Sequence, residues 1–97
     1  MNRAILSTAT GGPETLSLGS LPDPCAGPGQ ILVRTAAVAL NYPDALMIED
    51  RYQVRPPRPF APGCELSGIV EAVGEGVTGF SAGDRILAIT DFGGLAE

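Results

Sequence analysis

Histidine is absent from the 97 residues. A chain without it supplies no Ser-His triad, no imidazole general base and no histidine metal ligand. Cysteine is scarce, with only Cys25 and Cys64 present. Two widely spaced thiols in a chain with no export signal predict free thiols rather than a disulfide. Basic residues are few, six against eleven acidic, for a formal net charge of −5. That balance argues against nucleic acid and anionic membrane surfaces as partners. No apolar run approaches the roughly 18 residues of a spanning helix. The opening Met1-Asn2-Arg3-Ala4-Ile5-Leu6 turns polar too soon for a signal peptide, so the expectation is a cytoplasmic protein. A dinucleotide fingerprint is missing too. Neither Gly11-Gly12 nor Gly93-Gly94 has the strand-to-helix setting that a phosphate-binding Gly-x-Gly-x-x-Gly run requires.

What the chain has in quantity is glycine, 13 residues, and proline, 9 residues, spread along its whole length. With 44% hydrophobic residues this is a globular composition, and the frequent turn formers predict short elements in a strand-rich fold. The first run, residues 3–9, and the alternating residues 14–18 predict two strands around a Gly-Pro turn. Residues 21–29, with Pro22, Pro24, Gly27, Pro28 and Gly29, predict an extended loop. Ile31, Val33 and Val38 mark residues 30–40 as a strand,. Pro43 ahead of Ala45-Leu46-Met47 predicts a short helix with Asn41 or Tyr42 at its N-cap. Pro56, Pro57, Pro59 and Pro62 exclude a regular helix or central strand from residues 51–63. Strands then follow at residues 65–73 and 85–89, and Gly93-Gly94-Leu95-Ala96-Glu97 opens one more, whose partner edge would stay unsatisfied if nothing followed, a hint that the natural protein continues. Short strands with one short helix point to a small barrel or sandwich.

At Pro62-Gly63-Cys64-Glu65-Leu66-Ser67-Gly68 the sequence becomes specific. With Ile69-Val70-Glu71-Ala72-Val73-Gly74 and Gly83-Asp84-Arg85-Ile86, it resembles the GroES-like catalytic domain of medium-chain dehydrogenases/reductases. Asn41-Tyr42-Pro43-Asp44 followed by Arg51-Tyr52 is similar to the corresponding segment of the zinc-independent quinone oxidoreductase branch. The resemblance covers essentially the whole chain. It implies a mainly β, partly open GroES-like barrel with one short helix, left incomplete. Residues 1–97 would be the N-terminal portion of the catalytic domain, with the nucleotide-binding domain lying outside this chain.

The same resemblance implies a function: hydride transfer from NADPH to a quinone or α,β-unsaturated carbonyl, without zinc. The chain alone is expected to be inactive, and the full-length protein to be a homodimer through its nucleotide domain. The matching residues place Asn41 and Tyr52 at the reaction cleft as hydrogen-bond donors to the developing oxyanion, and Asn41 and Tyr42 as contacts to the cofactor. In zinc-dependent relatives a cysteine stands where this chain has Asn41, and a histidine where it has Cys64. A catalytic zinc needs about three protein ligands, so no metal is expected.

Each candidate also has a plainer reading: helix N-cap for Asn41, an aromatic packed on the proline segment for Tyr52, a buried small apolar residue for Cys64, and a first-turn carboxylate for Asp44. Gly63, Gly68, Gly74 and Gly83 are expected at turns or close approaches, Asp84 as a turn cap, and Arg85 as an ion partner of Glu71. Two other functions fit the resemblance: an enoyl-thioester reductase of the same superfamily, or a non-enzymatic GroES-like interaction module.

Overall fold

Alternating residues along the first segment produce β1 (Asn2–Ser7), which turns Ala4 and Leu6 into the core. Its partner is β2 (Leu16–Leu21), antiparallel, with Ile5 opposite Leu18. In this computed structural model, which describes residues 1–97, β2 starts two residues later than the alternation suggests. Pro13–Thr15 forms a single 3₁₀ turn instead, closed by the Thr15 hydroxyl donating to the Gly12 carbonyl at 2.7 Å.

The second sheet contains β3 (Ile31–Ala39), β4 (Glu65–Val73) and β5 (Arg85–Ile89) in the order β3-β4-β5, all antiparallel. The β3–β4 ladder slips register twice, between Leu32 and Val33 and between Thr35 and Ala37. Gly68 and Gly74 permit the tight backbone approaches nearby. A Cβ on Gly68 would stand 2.3 Å from the Arg34 carbonyl oxygen, and one on Gly74 would stand 1.9 Å from that of Gly27. Both glycines are therefore present for backbone proximity, while Gly63 and Gly83 adopt the positive φ expected of them. Asp84 caps its turn by accepting from the Ser81 N–H.

Two expectations need correction. The final residues are not left without a partner edge. Ala96 bridges to Ala4, the Ile5 N–H donates to the Leu95 carbonyl at 2.9 Å, and the Glu97 N–H donates to that of Arg3. The Thr35 N–H reaches the Glu97 carbonyl from the other side, so residues 95–97 lie between β1 and β3 and join the two sheets. Glu71 pairs with Arg34, not Arg85. Both arginines lie opposite Ile69. However, β3 runs on beside Glu71 to Val73, whereas β5 only begins at Arg85. The result is the expected mainly β, open arrangement with one helix, and its two sheets do not close into a barrel. No helix is long and apolar enough to cross a membrane.

The helix α1 (Tyr42–Ile48) has only seven residues, too few to be stable by itself in water. Met47 and Ile48 pack it against Phe60, with Leu16, Tyr52 and Val54 around them. A second cluster joins Ala4, Leu6 and Ala61. Arg58 ties the two regions together. Its guanidinium donates to the Ile48 carbonyl at the helix end, to Asp50 and to the hydroxyl of buried Ser7, at 3.0–3.2 Å. The group also lies 5.4 Å from the centre of the Phe60 ring, a cation–π distance.

Removing that guanidinium takes one donor from the Ile48 carbonyl, which keeps the Gly11 N–H, and one from Asp50, which keeps the Thr10 hydroxyl, so Arg58→Ala should destabilise the chain by about 1–3 kcal/mol. Arg58→Lys should recover only part, since an ammonium cannot reproduce the fork. Urea unfolding of the two variants checks this. The Thr10 hydroxyl, and then Arg58, hold the Asp50 carboxyl below the usual carboxylate range. A depressed folded pKa contributes stability that is present above the unfolded value and lost as pH falls through the folded one. The unfolding midpoint should therefore fall progressively below about pH 4, and less steeply in Thr10→Val.

Candidate functional site

One buried carboxylate organises the region where the sequence motifs meet. Asp44, only 6% exposed, lies in the first turn of α1. It accepts from the backbone N–H of Asn41 at 2.9 Å through one oxygen and from that of Gly63 at 3.2 Å through the other. The Asp44 N–H in turn donates to the Asn41 carbonyl. This fixes Asn41 at the N-cap, in extended conformation, and binds the helix start to the turn that leads into β4. Gly63 meets this turn at φ +105°, where a Cβ would stand 3.0 Å from the Leu95 nitrogen. Only glycine fits there without displacing the tail.

Beyond that turn stands Glu65, the first residue of β4, between Ala39 of β3 and Ile89 of β5. The Asn41 carboxamide donates to Glu65 Oε2 at 3.0 Å and, more weakly, to the Ala39 carbonyl at 3.4 Å. A carboxylate only accepts, so the amide must turn its NH₂ group toward Glu65. The Asn41 orientation is thereby set from a strand 24 residues away in sequence. Cys64 lies half-buried between these carboxylates. Burial pushes its thiol pKa up, and the charges of Asp44 and Glu65 push it further in the same direction. It is a protonated thiol near neutral pH, with little nucleophilic character.

The structure brings Asn41, Tyr42, Cys64 and Glu65 to one end of the three-stranded sheet. Tyr42 is largely exposed beside Asn41. Tyr52 lies past the other end of α1, about 10 Å away along a helix of this length. Its ring packs on the Met47–Ile48–Phe60 cluster. Asn41 and Tyr52 are thus not in contact through hydrogen bonds. The partner of Asn41 that sequence reasoning missed is Glu65. Its only signal was position, since it opens the strand that runs alongside the residues just before Asn41.

The donor set does not suit a zinc ion. No three His, Cys, Asp or Glu side chains converge anywhere. At this site the Asn41 amide turns its NH₂ group, a donor that cannot ligate a cation, toward Glu65,.

Residues 27–94 match the family model described as the alcohol dehydrogenase GroES-like domain. Over 95 residues the chain is 43% identical to the trans-enoyl reductase FMN2 of Fusarium mangiferae, covering 98% of this chain and 24% of that protein. It is 40% identical over 93 residues to the human synaptic vesicle membrane protein VAT-1 homolog, covering 94% and 24% respectively. Among solved structures, Escherichia coli quinone oxidoreductase complexed with NADPH superposes with a TM-score of 0.87 at 30% identity, covering 98% of this chain and 30% of that one. The chain therefore spans less than a third of the length of each of these proteins.

Asp44→Ala strands two N–H groups, one of them in a buried turn, and should cost about 2–4 kcal/mol. Asp44→Asn keeps one acceptor oxygen and should cost clearly less. Chemical denaturation of both variants, read by far-ultraviolet circular dichroism, measures the difference. Equal losses would mean that the two hydrogen bonds are not what Asp44 contributes.

Proposed function

Because this chain belongs to the alcohol dehydrogenase GroES-like domain family, on the quinone-oxidoreductase branch of the medium-chain dehydrogenases/reductases, we propose that residues 1–97 are the N-terminal portion of the catalytic domain of an NADPH-dependent reductase. It acts on a quinone or an α,β-unsaturated carbonyl without zinc. The carrying observation is the exposed Asn41 carboxamide, held in one orientation by Glu65 beside Tyr42. The resemblance to a quinone oxidoreductase solved with NADPH supports this reading.

Bound NADPH supplies the hydride. An enone or quinone is already electrophilic, so the protein's task is to orient the acceptor and stabilise the oxyanion that forms. Asn41 and Tyr42 are the contacts this chain offers to the nicotinamide end. With its NH₂ toward Glu65, Asn41 turns its carbonyl oxygen away from that strand, where it can accept from an amide N–H. The long hydrogen bond to Ala39 is the one a developing oxyanion displaces. Tyr52 supplies a phenol only when the acceptor extends over the helix toward it, so its contribution depends on substrate length. The whole protein pairs as a homodimer through its nucleotide-binding domain, which lies outside these residues. A second reading is favoured by the 43% identity to a trans-enoyl reductase: the same site reduces an enoyl thioester.

In the protein that carries this segment together with a nucleotide-binding domain, Asn41→Ala should lower kcat/KM by roughly ten- to a hundredfold. Unchanged kinetics would remove Asn41 from the site. NADPH consumption with quinones, enones and enoyl thioesters separates the two readings, since turnover confined to thioesters selects the second.

A further inference from the structure

A carboxamide carries a donor at one end and an acceptor at the other, and half a turn about its last bond exchanges them. At Asn41 two acceptors fix the choice. The NH₂ group donates to Glu65 Oε2 at 3.0 Å and to the Ala39 carbonyl at 3.4 Å. Neither of those oxygens can donate, so the amide cannot turn over without losing both bonds. Glu65 is free for this task, since it takes part in no ion pair within the chain. Its place is set by the sheet, where it stands opposite Ala39 at one end of the β3–β4 ladder.

The carbonyl end of the amide is left over. The Asp44 N–H lies close to it, in the arrangement of a capping box, but is donated at 3.1 Å to the Asn41 backbone carbonyl, and the side-chain oxygen makes no capping hydrogen bond. A carbonyl oxygen has two lone pairs, so an acceptor stays open at this position. Donation to a carboxylate also polarises the amide, which makes its far oxygen the stronger acceptor.

We infer that Glu65 is a positioning residue that makes the open end of Asn41 an acceptor, so that the site selects a nicotinamide by the N–H of its carboxamide. This rests on the reductase reading, with Asn41 as a contact to the nicotinamide end. NADP⁺ and NADPH both carry that N–H. An acetylpyridine analogue has a methyl ketone in its place, and its lone acceptor meets the Asn41 oxygen with nothing to donate. A thionicotinamide analogue exchanges the carbonyl for a thiocarbonyl and keeps the N–H. The rest of each molecule is the same, so the ratio of their affinities isolates the carboxamide. A residue that only supported the fold would weaken all three ligands together and leave that ratio unmoved.

The test is calorimetric titration of the three oxidised forms, with no acceptor present, into the protein that carries this segment together with a nucleotide-binding domain. The acetylpyridine analogue should bind roughly three- to tenfold more weakly than NADP⁺, the loss of one hydrogen bond, while the thionicotinamide analogue stays within about twofold. In Glu65→Lys the ammonium donates to the Asn41 oxygen and turns its NH₂ outward, because the long bond to Ala39 is too weak to resist. The preference for NADP⁺ over the acetylpyridine analogue should then vanish. Glu65→Gln can still accept through its own carbonyl and should keep most of the preference. Asn41→Asp added to Glu65→Lys should restore it, since a carboxylate at position 41 accepts whichever way it turns. Equal binding of NADP⁺ and the acetylpyridine analogue by the native protein overturns the inference. So does a preference that survives Glu65→Lys unchanged. Either result leaves the reductase reading standing, whereas a protein that binds none of the three forms removes that reading and this inference with it.

Discussion

A carboxylate taken out of water must be paid for by hydrogen bonds from whatever surrounds it. For Asp44 the donors are two backbone N–H groups from distant parts of the chain. One belongs to Asn41 at the start of the helix and the other to Gly63 in the turn before β4. Because those groups are backbone, satisfying the charge fixes the path of the chain and not merely the pose of a side chain. The third segment at this point is the tail. Gly94 donates to the Gly63 carbonyl at 2.8 Å and Leu95 to that of Pro62 at 2.9 Å. The lack of a side chain on Gly63 is what lets the tail come so near. Helix start, strand start and C-terminal residues are thus placed together around one buried charge, and every candidate site residue except Tyr52 is carried by one of the first two.

The far end of the helix is held by the same kind of physics with the sign reversed. A seven-residue helix contributes few apolar contacts, and the two buried clusters hold only three residues each. Polar clamps at both ends supply what a larger core would otherwise supply. Asp44 answers the Asn41 N–H at the start, and Arg58 joins the Gly11 N–H on the Ile48 carbonyl at the finish, each with the charge that the helix dipole favours there. Arg58 reaches from a segment that four prolines keep out of regular structure. That irregularity is useful, because an extended chain can cross the helix end and present a guanidinium, a ring and a bridge to Ser7 within three residues.

Much of this was legible in the residues, and the reason differs by element. Short β-rich apolar runs between turn residues declare themselves as strands, so β1, β3, β4 and β5 appear close to where they are predicted, while the one strictly alternating run, residues 14–18, opens on a 3₁₀ turn before β2 begins. Pro43 and the Ala-Leu-Met run mark α1. What alternation cannot convey is register. The pairing of Glu71 with Arg34 and of Glu65 with Asn41 depends on how β3 lies against β4, and that ladder slips twice. Tyr52 shows a different limit. A short spacing along the chain put it near Asn41 in sequence, but a helix intervenes and carries the two apart. Asp44 was legible as a first-turn carboxylate, but its burial and its bond to Gly63 are long-range facts. The closing residues, read as a strand with an unsatisfied edge, instead link both sheets.

Glu65 is where these threads converge. It opens β4, so its place is fixed by Asp44 through the turn before it, and its neighbours across the sheet are Ala39 and Ile89. One of its oxygens orients the Asn41 carboxamide. A carboxylate can do so only by accepting, which is why the amide turns its NH₂ group toward β4. Replacing Glu65 with a group that donates would turn the amide over. In a sheet of order β3-β4-β5 the first residue of the central strand lies beside the strand that leads to the helix, so the pose of the exposed amide follows from the strand order.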